Sequence, residues 1–343
     1  MPLSDLQEGL GYWSSTFDWR AIEQRVNELP QFLTEIDGQQ FHFVHIQSSQ
    51  SDATPIVLLH GWPGSFLEFL DMIPLLTEPA ANGAPDAPAF HVVVPSMPGF
   101  GWSTPLSDAN WTTNRTAKAV AELMARLGYE RYVTQGGDYG AGIASEVARV
   151  DPEHCVGVHA NGSLGAPFSE PSEEELAAST DLETDRFRRV AEFMQQEFGY
   201  ISIQSTRPQL IGVAMSDTPA GQLAWMLDKF RAWTFPFDAS PADGLGWERI
   251  LGHVSLYWFT RSAGSSAYTV YAADAGAWGE QPSRPTAPVA AIMFAHDIGV
   301  RRYAEQQFDI VRWTEVEGRG GHFAAMEEPE LLVDDIREFV AAL

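Results

Sequence analysis

The stretch Gln135-Gly136-Gly137-Asp138-Tyr139-Gly140 decides the fold predicted for this chain. It stands directly after a short apolar run, residues 132–134, and ahead of a helix-like segment, residues 142–150. Glycines on both sides of a polar residue permit the tight strand-turn-helix elbow on which some enzymes present a nucleophile. Such an elbow usually presents serine, but here it presents the carboxylate of Asp138. The alternative, an aspartate that only caps the following helix, stays open at this point.

Short apolar runs alternate with helix-like segments on both sides of this elbow. The runs are unbroken and mostly rich in β-branched residues, and Gly, Pro or Asp follows each of them closely. This pattern is typical of strands buried on both faces of a parallel sheet. The segments 116–127 and 142–150 have the spacing of amphipathic helices. The alternation predicts an α/β doubly wound sheet whose strands include residues 56–59, 92–94, 132–134 and 289–294.

The alternation stops after about Asn161, and strand-like runs resume at residues 289 and 310. The intervening chain has a mostly helical pattern with acidic and aromatic segments. An insertion between two strands of a sheet is the expected form of a lid. We therefore predict three parts: an N-terminal extension that packs on core and cap (1–50), a core (51–164 and 286–343) and a mainly helical cap (165–285).

The stretch His60-Gly61-Trp62-Pro63-Gly64 follows the first of the buried runs. In hydrolases built on such an elbow, the loop after this strand donates one main-chain N–H group to the developing oxyanion. The residue after the nucleophile donates the other. The expected donors are therefore Trp62 and Tyr139, although an ordinary tight turn would also explain the Pro-Gly pair.

An acid and a histidine complete a catalytic pattern later in the chain. Asp297 stands just past the run 289–294, and His322 stands in Gly320-Gly321-His322-Phe323 after the last strand-like run. The order nucleophile, acid, histidine is the order of the α/β-hydrolase fold, which we predict here with an inserted cap. Glu315 and Glu317 are alternative acids, but they precede His322 from a different strand.

Composition and the other histidines exclude several functions. The formal net charge of −25 over 343 residues disfavours binding to nucleic acid or to anionic lipid. Cys155 is the single cysteine, so no internal disulfide forms. His42 and His45 have a spacing that suggests a metal site, but the alternation over residues 41–46 fits a strand and no third ligand is near. No leader and no membrane span is recognisable, so we expect a cytoplasmic protein.

Several motifs together resemble the epoxide hydrolase family that includes the microsomal and juvenile-hormone enzymes. The resemblance covers nearly the whole chain and rests on Asp18-Trp19-Arg20, Leu29-Pro30-Gln31-Phe32, Ile36-Asp37-Gly38, the two glycine-rich motifs above, and Arg319-Gly-Gly-His-Phe-Ala-Ala-Met-Glu-Glu-Pro-Glu. Microsomal relatives carry a membrane anchor. We expect none here, because the chain begins just ahead of the matched part.

The resemblance implies a helical cap with two tyrosines that grip the epoxide oxygen. Tyr200, in Phe198-Gly199-Tyr200-Ile201, matches the first of them. For the second, counting forward from Ser265-Ser266 reaches Val270, whereas counting back from Asp274-Ala275-Gly276 reaches Tyr271. We predict Tyr271, with Tyr268 as the next alternative.

The resemblance further implies hydrolysis of an epoxide to a vicinal diol through an ester on Asp138, without a metal or an organic cofactor. We expect a small apolar epoxide as the substrate, and a homo-oligomer is possible. The alternatives are a haloalkane dehalogenase, a serine esterase, which lacks its serine here, and a non-catalytic ligand-binding protein. The aromatic residues expected around an apolar pocket are Phe187, Phe193, Phe198, Trp225, Trp233 and Trp258.

Overall fold

All the apolar runs predicted as strands belong to one eight-stranded sheet. The computed structural model describes residues 1–277 and 283–343. The strands are β1 (Gln31–Ile36), β2 (Gln39–Ile46), β3 (Thr54–Leu59), β4 (Phe90–Pro95), β5 (Tyr132–Gly137), β6 (Cys155–Asn161), β7 (Val289–Met293) and β8 (Ile310–Glu315). Their order across the sheet is β1-β2-β4-β3-β5-β6-β7-β8. Strand β2 is antiparallel to both of its neighbours and the other pairs are parallel, which confirms the predicted α/β-hydrolase architecture.

Helices cover the sheet and form the cap. In chain order they are α1 (Leu3–Ser15), α2 (Trp19–Asn27), α3 (Met72–Thr77), α4 (Thr113–Arg126), α5 (Tyr139–Val150), α6 (Glu173–Ala177), α7 (Asp181–Glu192), α8 (Gly199–Thr206), α9 (Pro208–Asp217), α10 (Pro219–Trp233), α11 (Trp247–Thr260), α12 (Ala263–Ala277), α13 (Arg301–Gln307), α14 (Ala324–Glu327) and α15 (Pro329–Val340). Both helix-like segments predicted next to the elbow are helices, α4 and α5.

Strand β3 illustrates why its residues form a central strand. Val57 and Leu59 pack in the cluster that contains α4 and α5, whereas Ile56 and Leu58 pack in the cluster that contains α3 and α15. All four side chains are fully buried. Burying an aliphatic side chain of this size stabilises the fold by about 1.5–3 kcal/mol. A continuous apolar run therefore supplies buried side chains to the core on both faces of the sheet.

The cap consists of helices α6 to α12, inserted between β6 and β7. Helix α12 packs against α8 and α9, and α10 packs against α9 and α11. Among the helices of the described part of the chain, none is long and apolar enough to cross a membrane.

The N-terminal segment contributes to two parts of the molecule. Helix α1 packs against the cap helices α10 and α11, with the Arg231 Nε donating to the Asp5 carboxylate at 2.7 Å and the Trp247 indole donating to Glu8 at 2.9 Å. Strands β1 and β2, in contrast, lie at the edge of the core sheet. The first two strands of the core sheet thus lie within residues 1–50, the segment predicted from the sequence as an N-terminal extension.

Strand β6 was not predicted, because its sequence lacks a continuous apolar run. Gly157, His159 and Asn161 interrupt it. The structure buries His159 inside the protein, where its Nε2 lies 3.0 Å from the Asp335 carboxylate. A buried polar side chain with a partner costs far less than an unpaired one, so the strand tolerates it.

Candidate active site

Asp138 occupies the elbow between β5 and α5. Its φ of 52° and ψ of −131° lie in a region that side chains rarely adopt. A Cβ atom on Gly140 would lie 1.9 Å from the main-chain oxygen of Leu59, and one on Gly136 would lie 2.4 Å from the Gly140 main chain. Glycine is therefore required at both positions. The Asp138 side chain makes no capping hydrogen bond to α5, so the interpretation as a helix cap is wrong.

The main-chain N–H of Trp62 donates a hydrogen bond to Oδ1 of Asp138 at 2.9 Å. The two residues meet because β3 and β5 are parallel neighbours, with Leu59 opposite Gly136, so the loops after them share one edge of the sheet. Tyr139 is the first residue of α5. Within the described residues its N–H makes no hydrogen bond to the Asp138 side chain, and its role stays a prediction.

His322 lies beside the other carboxylate oxygen of Asp138, with 3.6 Å between its Nε2 and Oδ2. Its main-chain N–H donates to the carbonyl of Trp233 at 3.0 Å, and its ring packs on the Trp233 indole at 4.8 Å between centroids. Burial lowers the pKa of His322, and the charge of Asp138 opposes this shift. A neutral imidazole at this distance is suited to accept a proton.

Asp297 lines the same cavity as Asp138 and His322. Its Oδ2 accepts a hydrogen bond from the Phe294 N–H at 2.7 Å, and burial raises its pKa to about 7. In the part of the chain that is described, no hydrogen bond or ion pair joins Asp297 to His322. Its role as the acid that supports the histidine therefore stays a prediction.

The alternative acids lie elsewhere. Glu315 accepts hydrogen bonds from the guanidinium of Arg186, at 2.9 Å for Nη1 to Oε1, and Glu317 is exposed. Neither of them lines the cavity. Of the three acids considered from the sequence, Asp297 is the one that lines a cavity together with His322.

Glu327 is a site residue that sequence reasoning missed. Its carboxylate accepts hydrogen bonds from the N–H groups of Phe323 at 3.0 Å and Phe235 at 2.9 Å. Burial raises its pKa to about 7. Glu327 thereby ties the loop of His322 to the cap segment that follows α10. The signal that could have revealed it is its place in the glycine- and glutamate-rich stretch around His322.

A cavity of about 940 Å³ lies between core and cap and opens onto Asp138, Asp297 and His322. Three of the six aromatic residues expected there line it, namely Phe193, Phe198 and Trp233. The other three pack elsewhere: Phe187 against Tyr303, Trp225 against Gln204, and Trp258 beside a separate groove. The walls are otherwise mixed, with Phe168, Phe237 and Ile201 facing Arg188, Arg189 and Glu192.

Tyr200 of α8 lines this cavity. Its ring stacks on Trp62 at 5.1 Å between centroids and meets Trp233 edge-on at 5.3 Å. Burial, followed by the charges of Asp138 and Glu197, raises the pKa of Tyr200 well above its ordinary value. Its hydroxyl therefore stays protonated and can donate a proton.

The second predicted tyrosine is not brought to the cavity. The side chain of Tyr271 is 41% exposed, and Tyr268 lines a separate small cavity with Tyr139 and Trp111. Neither is among the residues that line the large cavity. The expectation of a second tyrosine from Tyr271 or Tyr268 therefore disagrees with this structure, because Tyr271 is partly exposed to solvent and Tyr268 lies in the separate cavity.

The two histidines with metal-like spacing have other partners. The ring of His42 lies within 2.9 Å of Ser96 Oγ and 3.0 Å of Gln31 Oε1, and the ring of His45 lies 2.7 Å from the Tyr129 hydroxyl. Across residues 1–277 and 283–343, no group of three or more His, Cys, Asp or Glu side chains is arranged to hold a metal ion.

A carboxylate on the strand-turn-helix elbow, with a histidine beside it and a helical cap over the sheet, is typical of hydrolases of the α/β-hydrolase fold. Residues 54–200 match the family model described as alpha/beta hydrolase fold, and residues 1–69 match the one described as epoxide hydrolase N terminus. The chain belongs to the epoxide hydrolase family, because "Epoxide hydrolase 1" of Sus scrofa is 34% identical to it over nearly its whole length.

The similarity to known proteins extends over nearly the whole chain. "Epoxide hydrolase 1" of Sus scrofa is 34% identical over an alignment of 364 residues, gaps included, and the alignment covers 98% of this chain and 80% of that protein. A protein of Stigmatella aurantiaca (strain DW4/3-1), whose name assigns it provisionally to the same family, is 41% identical over 344 residues that cover 98% of this chain and 76% of the relative. The solved structure of Aspergillus niger epoxide hydrolase matches with a TM-score of 0.85 and 34% identity, covering 98% of this chain and 84% of that one.

Proposed function

We propose that this protein hydrolyses a small apolar epoxide to a vicinal diol through an ester formed on Asp138. The observation that carries the proposal is that the two oxygens of this carboxylate have different neighbours. Oδ1 accepts the Trp62 N–H, whereas Oδ2 lies 3.6 Å from the imidazole of His322. A carboxylate needs no base to attack a saturated carbon, and the bound epoxide supplies the strained bond that breaks.

In the first step Oδ2 attacks an epoxide carbon as the bond from this carbon to the ring oxygen breaks. The ring oxygen leaves as an alkoxide and takes the proton of the Tyr200 hydroxyl. Tyr200 suits this role because its raised pKa keeps it protonated until a strong base forms beside it. The hydroxyalkyl ester then has Oδ2 as its bridging oxygen and Oδ1 as its carbonyl oxygen.

In the second step His322 takes a proton from water as the water oxygen attacks the ester carbonyl carbon. The negative charge falls on Oδ1, which the Trp62 N–H already contacts, and Tyr139 is the expected second donor. The intermediate expels the diol oxygen, which takes the proton from the His322 imidazolium. Asp138 regains its charge with one oxygen from water, and the proton released restores Tyr200. Asp297 is proposed to stabilise the imidazolium through its negative charge.

Substrate size and polarity follow from the large cavity. Its volume of about 940 Å³ and its aromatic walls suit an apolar molecule of modest size. Arg188 and Glu192 bind each other, with 2.6 Å between Nη1 and Oε1, so their charges compensate at the cavity wall. The cytoplasmic location and the homo-oligomer stay predictions of the sequence.

Oxygen labelling tests the ester directly. The wild-type chain turns over aryl and alkyl epoxides in H₂¹⁸O, and the peptide that contains Asp138 is then weighed. We expect diol formation together with ¹⁸O in this peptide, because water leaves its oxygen on the nucleophile. Asp138→Asn should give no diol, whereas Asp108→Asn, on the surface, should match the wild type. Diol without label in the peptide would refute the ester, and turnover of haloalkanes alone would favour the dehalogenase alternative.

A further inference from the structure

A second, much smaller cavity adjoins the nucleophile. Its volume of about 10 Å³ for a water-sized sphere is room for about one water molecule. Asp138 and His322 line both this cavity and the large one. Its remaining polar side chains are those of Glu68 and Asn161. The two catalytic residues therefore stand between a space for substrate and a space for a single water.

Glu68 reaches this cavity because the preceding loop makes room for it. The residue lies in a short 3-10 helix, Phe66–Phe69, whose N-terminus Ser65 caps by accepting the Leu67 N–H at 3.2 Å. A Cβ atom on Gly64 would lie 1.3 Å from Oε1 of Glu68. The glycine at position 64 thus provides the space that the Glu68 carboxyl occupies.

The surroundings of Glu68 are unfavourable for a charge. Burial, followed by the charge of Asp138, raises its pKa to about 8. No ion pair to Glu68 is present among the described residues. A carboxyl group held in this way costs free energy of folding, and such groups concentrate where a reaction needs them.

Asn161, at the end of β6, fixes the opposite wall. Gln135 donates from Nε2 to the Asn161 Oδ1 at 2.9 Å, which sets the orientation of the amide. Nδ2 of Asn161 lies on the side of Gly137, where an added Cβ would come within 2.6 Å of it. The small cavity therefore has polar groups on part of its wall, and the apolar residues on the rest include Phe69, Phe323, Ala324 and Ala325.

We infer that Glu68 binds the hydrolytic water of the second step. The water donates one hydrogen bond to a Glu68 oxygen and gives its other proton to Nε2 of His322, so that a lone pair is directed at the ester carbon of Asp138. The bond between water oxygen and carbonyl carbon forms as this proton moves to His322, while Glu68 keeps its own protonation state. This role rests on the proposed ester mechanism.

The occupancy of the large cavity supports this assignment. While the ester exists, the hydroxyalkyl group fills the space on the substrate side of Asp138. A water held on the other side needs no exchange with bulk solvent. Esterification also removes the charge of Asp138, which is one of the causes that raise the pKa of Glu68. The pKa of Glu68 therefore falls when the ester forms, so that Glu68 ionises more readily before water attacks, and a carboxylate accepts a hydrogen bond better than a carboxylic acid does.

Transient kinetics on the full chain separates this role from a structural one. Rapid quenching and intact-protein mass give the rate of ester formation and the rate of ester hydrolysis. For Glu68→Met, which keeps the bulk but removes the oxygens, we expect ester formation near the wild-type rate and hydrolysis slower by about 100-fold. Glu68→Gln retains an accepting oxygen and should recover much of this loss.

The matched control is Asp335→Asn, which also converts a buried carboxylate to an amide but lies outside both cavities, bound to His159 and Arg312. It should lower the melting temperature and leave the ratio of the two rates unchanged. Equal slowing of both steps in Glu68→Met, or no slowing of hydrolysis, would overturn the inference. Absence of any ester in the wild type, and in His322→Gln, would instead refute the proposed function.

Discussion

The main-chain N–H of Trp62 donates a hydrogen bond to Oδ1 of Asp138 at 2.9 Å. This contact distinguishes the two oxygens of the nucleophile. In the proposed mechanism Oδ1, which accepts the Trp62 N–H, is the oxygen that carries the negative charge, and Oδ2 lies beside His322. Donors that are in place beforehand need no reorganisation during the reaction, which is the main source of electrostatic catalysis.

Gly61→Ala should disrupt this contact. An added Cβ at Gly61 would lie 2.3 Å from Oδ1 of Asp138, so the carboxylate must move away from the Trp62 N–H. We expect kcat to fall by at least about 100-fold, the usual loss when one oxyanion donor is removed. The control is Gly142→Ala in α5, where an added Cβ meets nothing within 4 Å. If Gly61→Ala keeps more than half of the wild-type kcat, the donor role of Trp62 is wrong.

His322→Gln should stop the reaction after the first step. The variant retains Asp138 and Tyr200, so the ester forms, but no base activates water. We expect one equivalent of epoxide consumed per protein, and a mass increase on the peptide of Asp138. Steady turnover in this variant would show that another group serves as the base.

Tyr200→Phe should slow ester formation by about 100-fold or more, the range typical of general acid catalysis. Tyr271→Phe should leave this rate close to that of the wild type, since its side chain is 41% exposed and lies outside the cavity. Single-turnover rates of epoxide consumption compare the two variants. An equal loss in both would mean that α12 rotates toward the substrate in the complex.

Stability should fall as the pH rises from about 6.5 to 8.5. The pKa values of Asp297 and Glu327 are raised to about 7 and that of Glu68 to about 8, mainly by burial. The unfolded chain releases these protons near pH 4, so each group lowers the free energy of unfolding by up to about 1.4 kcal/mol per pH unit between pH 4 and its folded pKa. Asp297 and Glu327 stop contributing near pH 7, so the decrease above pH 6.5 comes mainly from Glu68 and ends near pH 8. Buried histidines with lowered pKa values give the opposite slope only below pH 6.5; they are His42, His60, His253 and His296.

Urea unfolding at pH 6.5 and pH 8.5 measures this slope. Glu68→Gln removes one of the three titrating groups, so its stability should decrease less over the same interval than that of the wild type. Identical pH dependence in the two proteins would mean that Glu68 is already ionised in the folded state at pH 6.5.

The sequence by itself determined the elbow, the loop opposite to it and most of the parallel strands of the sheet, but not β6. These features depend on local rules. A strand buried on both faces needs a continuous apolar run, as at β3, and Gly140 has no room for a side chain beside Leu59. Main-chain geometry of this kind restricts which residue types can occupy adjacent positions, so a local sequence pattern can predict it.

Tertiary structure alone decided which cap side chains reach the nucleophile. Tyr268 and Tyr271 of α12 both lie outside the large cavity, and a shift of one residue turns a helical side chain by about 100°. Tertiary packing likewise brings Glu68 beside Asp138 and joins Glu327 to Phe235, since each pair is distant in sequence. Sequence periodicity fixes which elements form, whereas the rotation of one element against another depends on the complete packed core.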